Sequence, residues 1–161
     1  GAHGGGAHGG GGHGHGGGGG RTLTFADRDA LAKSIERVQD PTAPLQWLVA
    51  AYDPATFELR ETASGEGSSV SHVPQELPLG SAAYALMNVT ADDMGKVVLV
   101  SWMPPTVRGV TRARLQMHKG AIRGTVGFHH AHVELDSHDE LKQAAFGERV
   151  RVALGARSAI K

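Results

Sequence analysis

The stretch that decides the fold is residues 97–126, VVLVSWMPPTVRGVTRARLQMHKGAIRGTV. It opens on a continuous apolar run, Val97–Val100, which is typical of a strand buried on both faces. Pro104 and Pro105 end that strand, because proline cannot donate to a sheet ladder. A helical pattern follows in which every charged residue is basic. The stretch therefore predicts a helix that packs on a sheet and directs cations outward.

A helical wheel divides this segment into two arcs. Four cations fall within about 60° of one another at ~100° per residue: Arg108, Arg112, Lys119 and Arg123. The apolar arc, which we expect to be buried, comprises Val107, Val110, Met117, Ala121 and Ile122. No acid lies between Asp93 and Glu134 to offset the cations. A row of this kind is often only a solvated helix face, but a structural face normally mixes charge signs. The row also suits an acidic partner, and both interpretations stay open at this point.

The composition places one folded domain after an unusual tail. Residues 1–20 hold 14 of the 24 glycines and four of the ten histidines, with two alanines. Such a segment has no apolar surface to bury, so we expect a disordered tail, either native or left by an expression vector. The domain is expected over residues 21–154, with a frayed end over residues 155–161.

Composition also narrows the function classes. The chain has no Cys, which excludes disulfides and thiolate metal sites and fits a reducing compartment. Sixteen basic residues balance sixteen acidic ones, so overall charge predicts no nucleic-acid or membrane binding. No apolar run approaches the ~20 residues of a membrane span, and the N-terminus lacks an apolar signal core.

Sequence motifs for catalysis or metal binding are missing. The chain contains no nucleophile elbow, P-loop or H-E-x-x-H segment, so we predict no enzyme and no cofactor. Two histidines, His130 and His132, project from one face of a predicted strand. Zinc needs three or four ligands in tetrahedral geometry, which nothing in this spacing specifies. We therefore interpret these two, and His118, His129 and His138, as surface residues.

The remaining patterns predict a mixed α/β (α+β) fold. A first helix begins at Thr24, with Asp27 completing a capping-box-like start, and ends at Asp40-Pro41. Strands are predicted over residues 45–52, 57–62, 82–89, 97–100 and 131–135, with a loop over 64–80 that has room for a short helical turn around residues 74–77. A capping box at Ser137 and Glu140 starts a last helix. A central mixed five-stranded sheet, flanked by helices on both faces, accommodates this order.

The order and several motifs resemble the actin-depolymerising-factor homology (ADF-H) family, and within it the coactosin-like group. The motifs are WLVAAYD (47–53), Gly95-Lys96 before VVLVSW (97–102), GVTRAR (109–114), HVEL (132–135) and SHDEL (137–141). They follow one another collinearly over about residues 24–150. The resemblance implies an ADF-H fold and a cytoplasmic, cytoskeletal protein that binds actin filaments with little or no severing.

Position by position, the resemblance also implies an actin-binding site. Lys96 matches the family lysine that precedes the fourth strand and contacts the filament, and Met94 beside it offers an apolar contact. Arg112 and Arg114 match the basic pair of the long helix. With the rest of the row, the expected actin-binding residues are Met94, Lys96, Arg108, Arg112, Arg114, Lys119 and Arg123.

The predicted long helix departs from the family in its glycines, Gly109, Gly120 and Gly124, each of which costs a helix ~1 kcal/mol relative to Ala.

Several alternative functions remain. A regulator of the cofilin or glia-maturation-factor type would bind monomeric actin or remodel filaments. A module for anionic phosphoinositide lipids would use the same cations. We expect a monomer in each case, and a small enzyme has no supporting motif.

Overall fold

The structure, a computed structural model, describes residues 22–43 and 46–161. The predicted tail over residues 1–20 lies outside the described residues. The helices are α1 (Arg28–Gln39), α2 (Ser69–Glu76), α3 (Gly109–Gln116), α4 (Lys119–Val126) and α5 (Gln143–Leu154). The strands are β1 (Thr24–Phe25), β2 (Gln46–Tyr52), β3 (Glu58–Glu66), β4 (Ala83–Ala91), β5 (Met94–Trp102) and β6 (Ala131–Leu135). No helix in these ranges is long and apolar enough to cross a membrane.

The strands form one mixed sheet in the order β1-β3-β2-β4-β5-β6. The five predicted strands are present, and the mixed sheet is confirmed. The sixth strand, β1, has two residues and pairs in parallel with β3, which the prediction of five strands missed. The crossover from β5 to β6 gives a parallel pair, as the helix between them predicts.

Helices cover both faces of the sheet. On one face, α2 and α5 bury Val73, Phe146 and Val150 against the strands. On the other face, α1, α3 and α4 bury residues such as Ile35 and Leu115. The residues of β2 are buried on both sides, because this strand lies between two covered faces.

Three predicted boundaries were wrong. The cap of α1 is Asp27, whose carboxylate accepts a hydrogen bond from the Ala30 N–H at 3.0 Å, while Thr24 belongs to β1. The predicted loop over 64–80 contains the end of β3 and all of α2, which is longer and begins earlier than the short helical turn expected around residues 74–77. The capping box at Ser137 and Glu140 is confirmed, but it caps a 3₁₀ turn over residues 138–141 that precedes α5.

The hairpin of β4 and β5 projects from the sheet. Its two turn residues, Asp92 and Asp93, both have positive φ, as a two-residue type I′ connection requires. Pairing with β2 ends at Met87, and pairing with β6 begins at Val98. Residues 88–97 therefore form an arm that extends past the strands on either side.

The end of the chain runs back to this arm. Gly155, in the left-handed region at φ 65°, ends α5, and Ala156 after it is buried. Lys161 then exchanges two backbone hydrogen bonds with Thr90 of β4, at 2.8 and 3.0 Å. Residues 155–161, expected to be frayed, thus have defined partners in the structure.

The opposite edge of the sheet is only partly paired. β1 covers β3 at Glu58 and Leu59 alone. A bulge between Val49 and Ala50 interrupts the pairing of β2 with β3. Beyond Leu59, the outer side of β3 has no strand beside it within the described ranges.

Candidate functional site

The predicted long helix is two helices that meet at Met117 and His118. The N–H of His118 donates to the Leu115 carbonyl at 3.1 Å, a tight 3₁₀-type bond that closes α3. The His118 carbonyl then accepts from the Ile122 N–H at 2.9 Å as α4 begins. The prediction of one continuous helix was therefore wrong. The helix breaks at Met117 and His118, just before Gly120, one of the glycines that the sequence indicated as unfavourable for a helix.

A buried histidine anchors this break. The side chain of His118 is turned into the core, where the residue is only 2% exposed, so the interpretation of the histidines as surface residues was wrong for His118. Its Nδ1 lies 2.9 Å from the hydroxyl oxygen of Tyr52, which in turn lies 3.3 Å from that of Tyr84. Burial, with a smaller contribution from Tyr84, raises the pKa of Tyr52 above its ordinary value, so this hydroxyl stays neutral. Buried contacts thus fix where α3 stops and α4 begins.

The outer face of α3 and α4 is apolar. Leu115, His118 and Ile122 point inward, at helical spacing. Val110 is therefore 77% exposed and Met117 57% exposed, although the wheel predicted both to be buried. Small residues that are also exposed continue the face: Ala113, Gly120, Ala121 and Gly124. We call Val110, Ala113, Met117, Gly120, Ala121 and Gly124 the outer stripe.

The predicted cations at the start of α3 lie on a different arc of the helix from this stripe, because Arg108 and Arg112 are each two residues from Val110. Arg108 is exposed, and its Nε donates to the Pro105 carbonyl at 3.2 Å. Arg112 is half-buried and donates to the carbonyls of Val107 and Pro104 at 3.1 and 3.4 Å. Neither takes part in the ion pairs found among the described residues, so both keep their positive charge for a partner.

Arg114 lies against an aromatic ring. Its guanidinium carbon is 5.0 Å from the centroid of Phe57, the residue with positive φ that precedes β3. Cation–π contact and partial burial hold this side chain against the protein. Of the predicted basic pair, Arg114 thus lies next to the stripe and Arg112 on the other arc, and the fold pre-orders both side chains.

The remaining two cations of the row face β6. Lys119 Nζ lies 3.0 Å from the Glu134 carboxylate, which the Lys119 hydrogen bond keeps at a lowered pKa. The expectation that no acid offsets the row was therefore wrong, because the acid comes from a distant strand. Arg123 donates to His132 Nδ1 at 2.8 Å.

His132 is held as a neutral ring in this cluster. Because Arg123 can only donate, Nδ1 accepts, and the Nε2–H donates to the Ser101 hydroxyl at 2.7 Å. Burial, and then the Arg123 charge, lower the pKa of His132 below its ordinary 6.5.

Acid is expected to destabilise the fold through His132. The unfolded chain takes up a proton on this ring at a higher pH than the folded chain does. The contribution of neutral His132 to the free energy of unfolding is therefore complete above pH 6.5 and is lost as the pH falls below that value. Thermal melts between pH 7 and 5.5 should therefore show a steeper fall in Tm for the wild type than for His132→Gln. Parallel curves would remove His132 as the cause.

The other predicted contacts lie on the projecting arm. Met94, 59% exposed, and Lys96, half-buried, are on β5 rather than in the turn, which is formed by Asp92 and Asp93. Met94 pairs with Ala91 and Lys96 with Val89, so both belong to the arm that passes β2 and β6. The arm therefore carries one exposed thioether and one cation that has no acid partner within the described ranges.

Metal binding has no site in the part of the chain that the structure describes, where no group of three or more His, Asp or Glu could hold an ion. The tail histidines, His3, His8, His13 and His15, lie outside those residues. The exposed Val110 and Met117 are the residues that sequence reasoning missed, since it predicted both, and Ala121 with them, to be buried. The small residues at 113, 120, 121 and 124 could have indicated that this face is exposed, because small side chains on an outward helix face let a partner approach closely.

Comparison with known proteins connects this geometry to a family. A family model described as cofilin/tropomyosin-type actin-binding protein matches residues 24–151. Among curated proteins, the drebrin-like protein of Mus musculus is 24% identical over 129 residues, covering 79% of this chain and 29% of the relative. The chain thus spans less than a third of that relative's length.

Solved structures share the fold. Coactosin from Entamoeba histolytica superposes with a TM-score of 0.67 at 18% identity, over 84% of this chain and 99% of that one. The human coactosin-like protein gives 0.68 at 18% identity, over 82% and 100%. The chain therefore has the ADF-H fold and belongs to the cofilin/tropomyosin-type family of actin-binding proteins.

Proposed function

We propose that this protein is a non-enzymatic, monomeric regulator of the cytoplasmic cytoskeleton that binds the side of actin filaments with little or no severing. Two surfaces make the contact in this proposal: the outer stripe together with the cations of α3 and α4, and the arm that carries Met94 and Lys96. The family match and the coactosin-like fold support actin as the partner.

The observation that carries the proposal is the exposure of Val110 and Met117 on one helix face. They lie seven residues apart, about 10 Å along the axis at 1.5 Å per residue. Leu115 anchors the opposite face in the core, so the two apolar side chains cannot simply turn inward. A pair of large apolar groups on a small-residue face, with Arg114 beside them at four residues from Val110 and three from Met117, has the apolar centre and polar border of a protein interface.

Charge assists this docking at a distance. Arg108, Arg112 and Lys96 have no acid partner in the described part of the chain, whereas Glu134 neutralises Lys119. Exposed cations accelerate encounter with an acidic surface over a Debye length of about 8 Å at physiological salt. Filament affinity should accordingly weaken as salt rises. Because Lys119 is paired with Glu134, fewer unpaired cations are left to bind an anionic lipid, which disfavours the lipid-binding alternative.

Co-sedimentation with actin filaments, beside a monomer-binding assay and filament-length measurement, tests the proposal. Pelleting without monomer binding or shortening supports it. Monomer binding or shortening would favour the cofilin or glia-maturation-factor type instead. Binding only to vesicles that contain phosphoinositide, with no pelleting, would favour the lipid module.

Lys96→Ala is expected to weaken filament pelleting by about 2 kcal/mol, roughly 30-fold in Kd, because it removes a charged contact at an interface. The Lys96 side chain makes no hydrogen bond or ion pair with the described residues, so the free energy of unfolding should change by no more than ~0.5 kcal/mol. Lys33→Ala, an exposed lysine on α1, is the matched control and should pellet like the wild type. Equal pelleting of the two variants at several salt concentrations would remove Lys96 from the contact.

A further inference from the structure

A single carboxylate joins the end of the chain to the projecting arm. Asp92 Oδ1 accepts hydrogen bonds from the Ser158 N–H at 3.1 Å and from the Ser158 hydroxyl at 2.9 Å. Asp92 Oδ2 accepts from the Arg157 N–H at 2.9 Å. These bonds lower the pKa of Asp92, the Arg157 backbone contributing most, so the carboxylate remains ionised. We call this contact, between Asp92 and residues 157–158, the clasp.

The arm needs lateral support that the sheet does not provide. β4 continues four residues beyond its last pairing with β2, and β5 starts four residues before its first pairing with β6. On the β6 side, His130 supports the arm, since its N–H donates to the Val97 carbonyl and its Nδ1 accepts from the Val97 N–H. On the β2 side, the support comes from the end of the chain.

The terminal segment is fixed at both of its ends as well as at the clasp. Ala156 is buried, and Ile160 packs against the hydrophobic cluster beneath α2 and α5. Lys161 then bonds Thr90 on the edge of β4 that β2 leaves open. The clasp lies between these points and secures the tip of the hairpin, two residues from Met94.

We propose that Asp92 is a positioning residue: through the clasp, it holds the arm in the orientation in which Met94 and Lys96 meet the filament. This inference rests on the proposed function. Asp92 acts through the arm, so its loss should weaken the same contact that Lys96 makes.

The chain offers a close control beside Asp92. Asp93 is its neighbour in the turn, also with positive φ, and its carboxylate makes no hydrogen bond within the described chain. Glycine suits positive φ, so Asp92→Gly and Asp93→Gly both keep the turn and both remove one negative charge. Only Asp92→Gly removes the clasp. Asp92→Asn keeps an oxygen that can take the place of Oδ1 and should restore much of it.

Amide exchange and filament pelleting of these variants together test the proposal. In Asp92→Gly, exchange at the Thr90 and Lys161 amides should be about tenfold faster or more, since bonds to ionised groups are among the stronger hydrogen bonds. Filament affinity should fall roughly 2- to 30-fold, the range for residues that modulate a site without touching its ligand. Asp93→Gly should match the wild type in both measurements, and Asp92→Asn should lie between.

A double variant shows whether Asp92 acts through the arm. In a Lys96→Ala background, Asp92→Gly should weaken pelleting by clearly less than it does alone, because the contact it positions is already lost. Full additivity would overturn the proposal, as would faster exchange with unchanged pelleting, or equal effects of Asp92→Gly and Asp93→Gly. If the wild type does not pellet, the proposed function fails, whereas the exchange data still decide whether the clasp holds the terminal segment.

Discussion

Replacing Val110 and Met117 together by Asp is expected to abolish filament pelleting. Each substitution places a charge where the proposed contact is apolar and desolvated, and interface anchors of this kind typically contribute about 2 kcal/mol or more. Two such losses correspond to roughly a thousandfold in Kd. Both side chains already face solvent, so the substitutions open no cavity and the free energy of unfolding should change little.

The matched control is Val152→Asp. Val152 is 61% exposed on α5, on the other side of the sheet from the outer stripe. This variant makes the same chemical change at similar exposure, and it should pellet like the wild type. Circular dichroism and thermal melts establish that both proteins are folded. A folded Val110→Asp/Met117→Asp protein that still pellets with wild-type affinity would exclude α3 and α4 from the actin contact.

His118→Ala is expected to cost about 3 kcal/mol of unfolding free energy. The substitution leaves a cavity under the break between α3 and α4 and deprives the Tyr52 hydroxyl of a partner. Urea denaturation should show a lower midpoint with an unchanged m-value, the sign of a change in stability rather than in the surface exposed on unfolding.

Two further variants separate the causes of that loss. His129→Ala, at a histidine outside the core, should cost no more than ~0.5 kcal/mol. Tyr52→Phe removes only the hydroxyl and should cost about 1–3 kcal/mol, less than the full truncation of His118. A stability of His118→Ala equal to that of His129→Ala would mean that the buried cluster does not fix the helix break.

Much of the scaffold follows from local pattern. The apolar run Val97–Val100 could be recognised because a strand covered on both faces tolerates no polar residue. Alternation over 131–135 and the helix before it predicted the parallel pairing of β5 and β6. The capping box of Ser137 and Glu140 depends only on the four residues 137–140, so it could be predicted without knowledge of tertiary contacts.

The site was harder to predict, because distant residues determine it. A wheel treats His118 as polar and places it outside, but Tyr52 and Tyr84 give it partners in the core. With His118 inward, the buried stripe rotates and Val110 and Met117 become exposed. The pairing of Lys119 with Glu134 crosses fifteen residues and depends on the β5–β6 crossover. Local charge counting therefore overestimated the free cations.

The partly paired edge of β3 bears on how copies of this protein behave when they are crowded, as the proposed filament binding would bring about. An open strand edge invites pairing with the same edge of a neighbouring molecule, which begins aggregation. Here the bulge opposite Val49 and Ala50 disturbs the regular spacing of the backbone groups. Arg60, Glu61 and Glu66 add charge along the same edge. These two features protect neighbouring copies from joining edge to edge, so that high local concentration need not lead to aggregation.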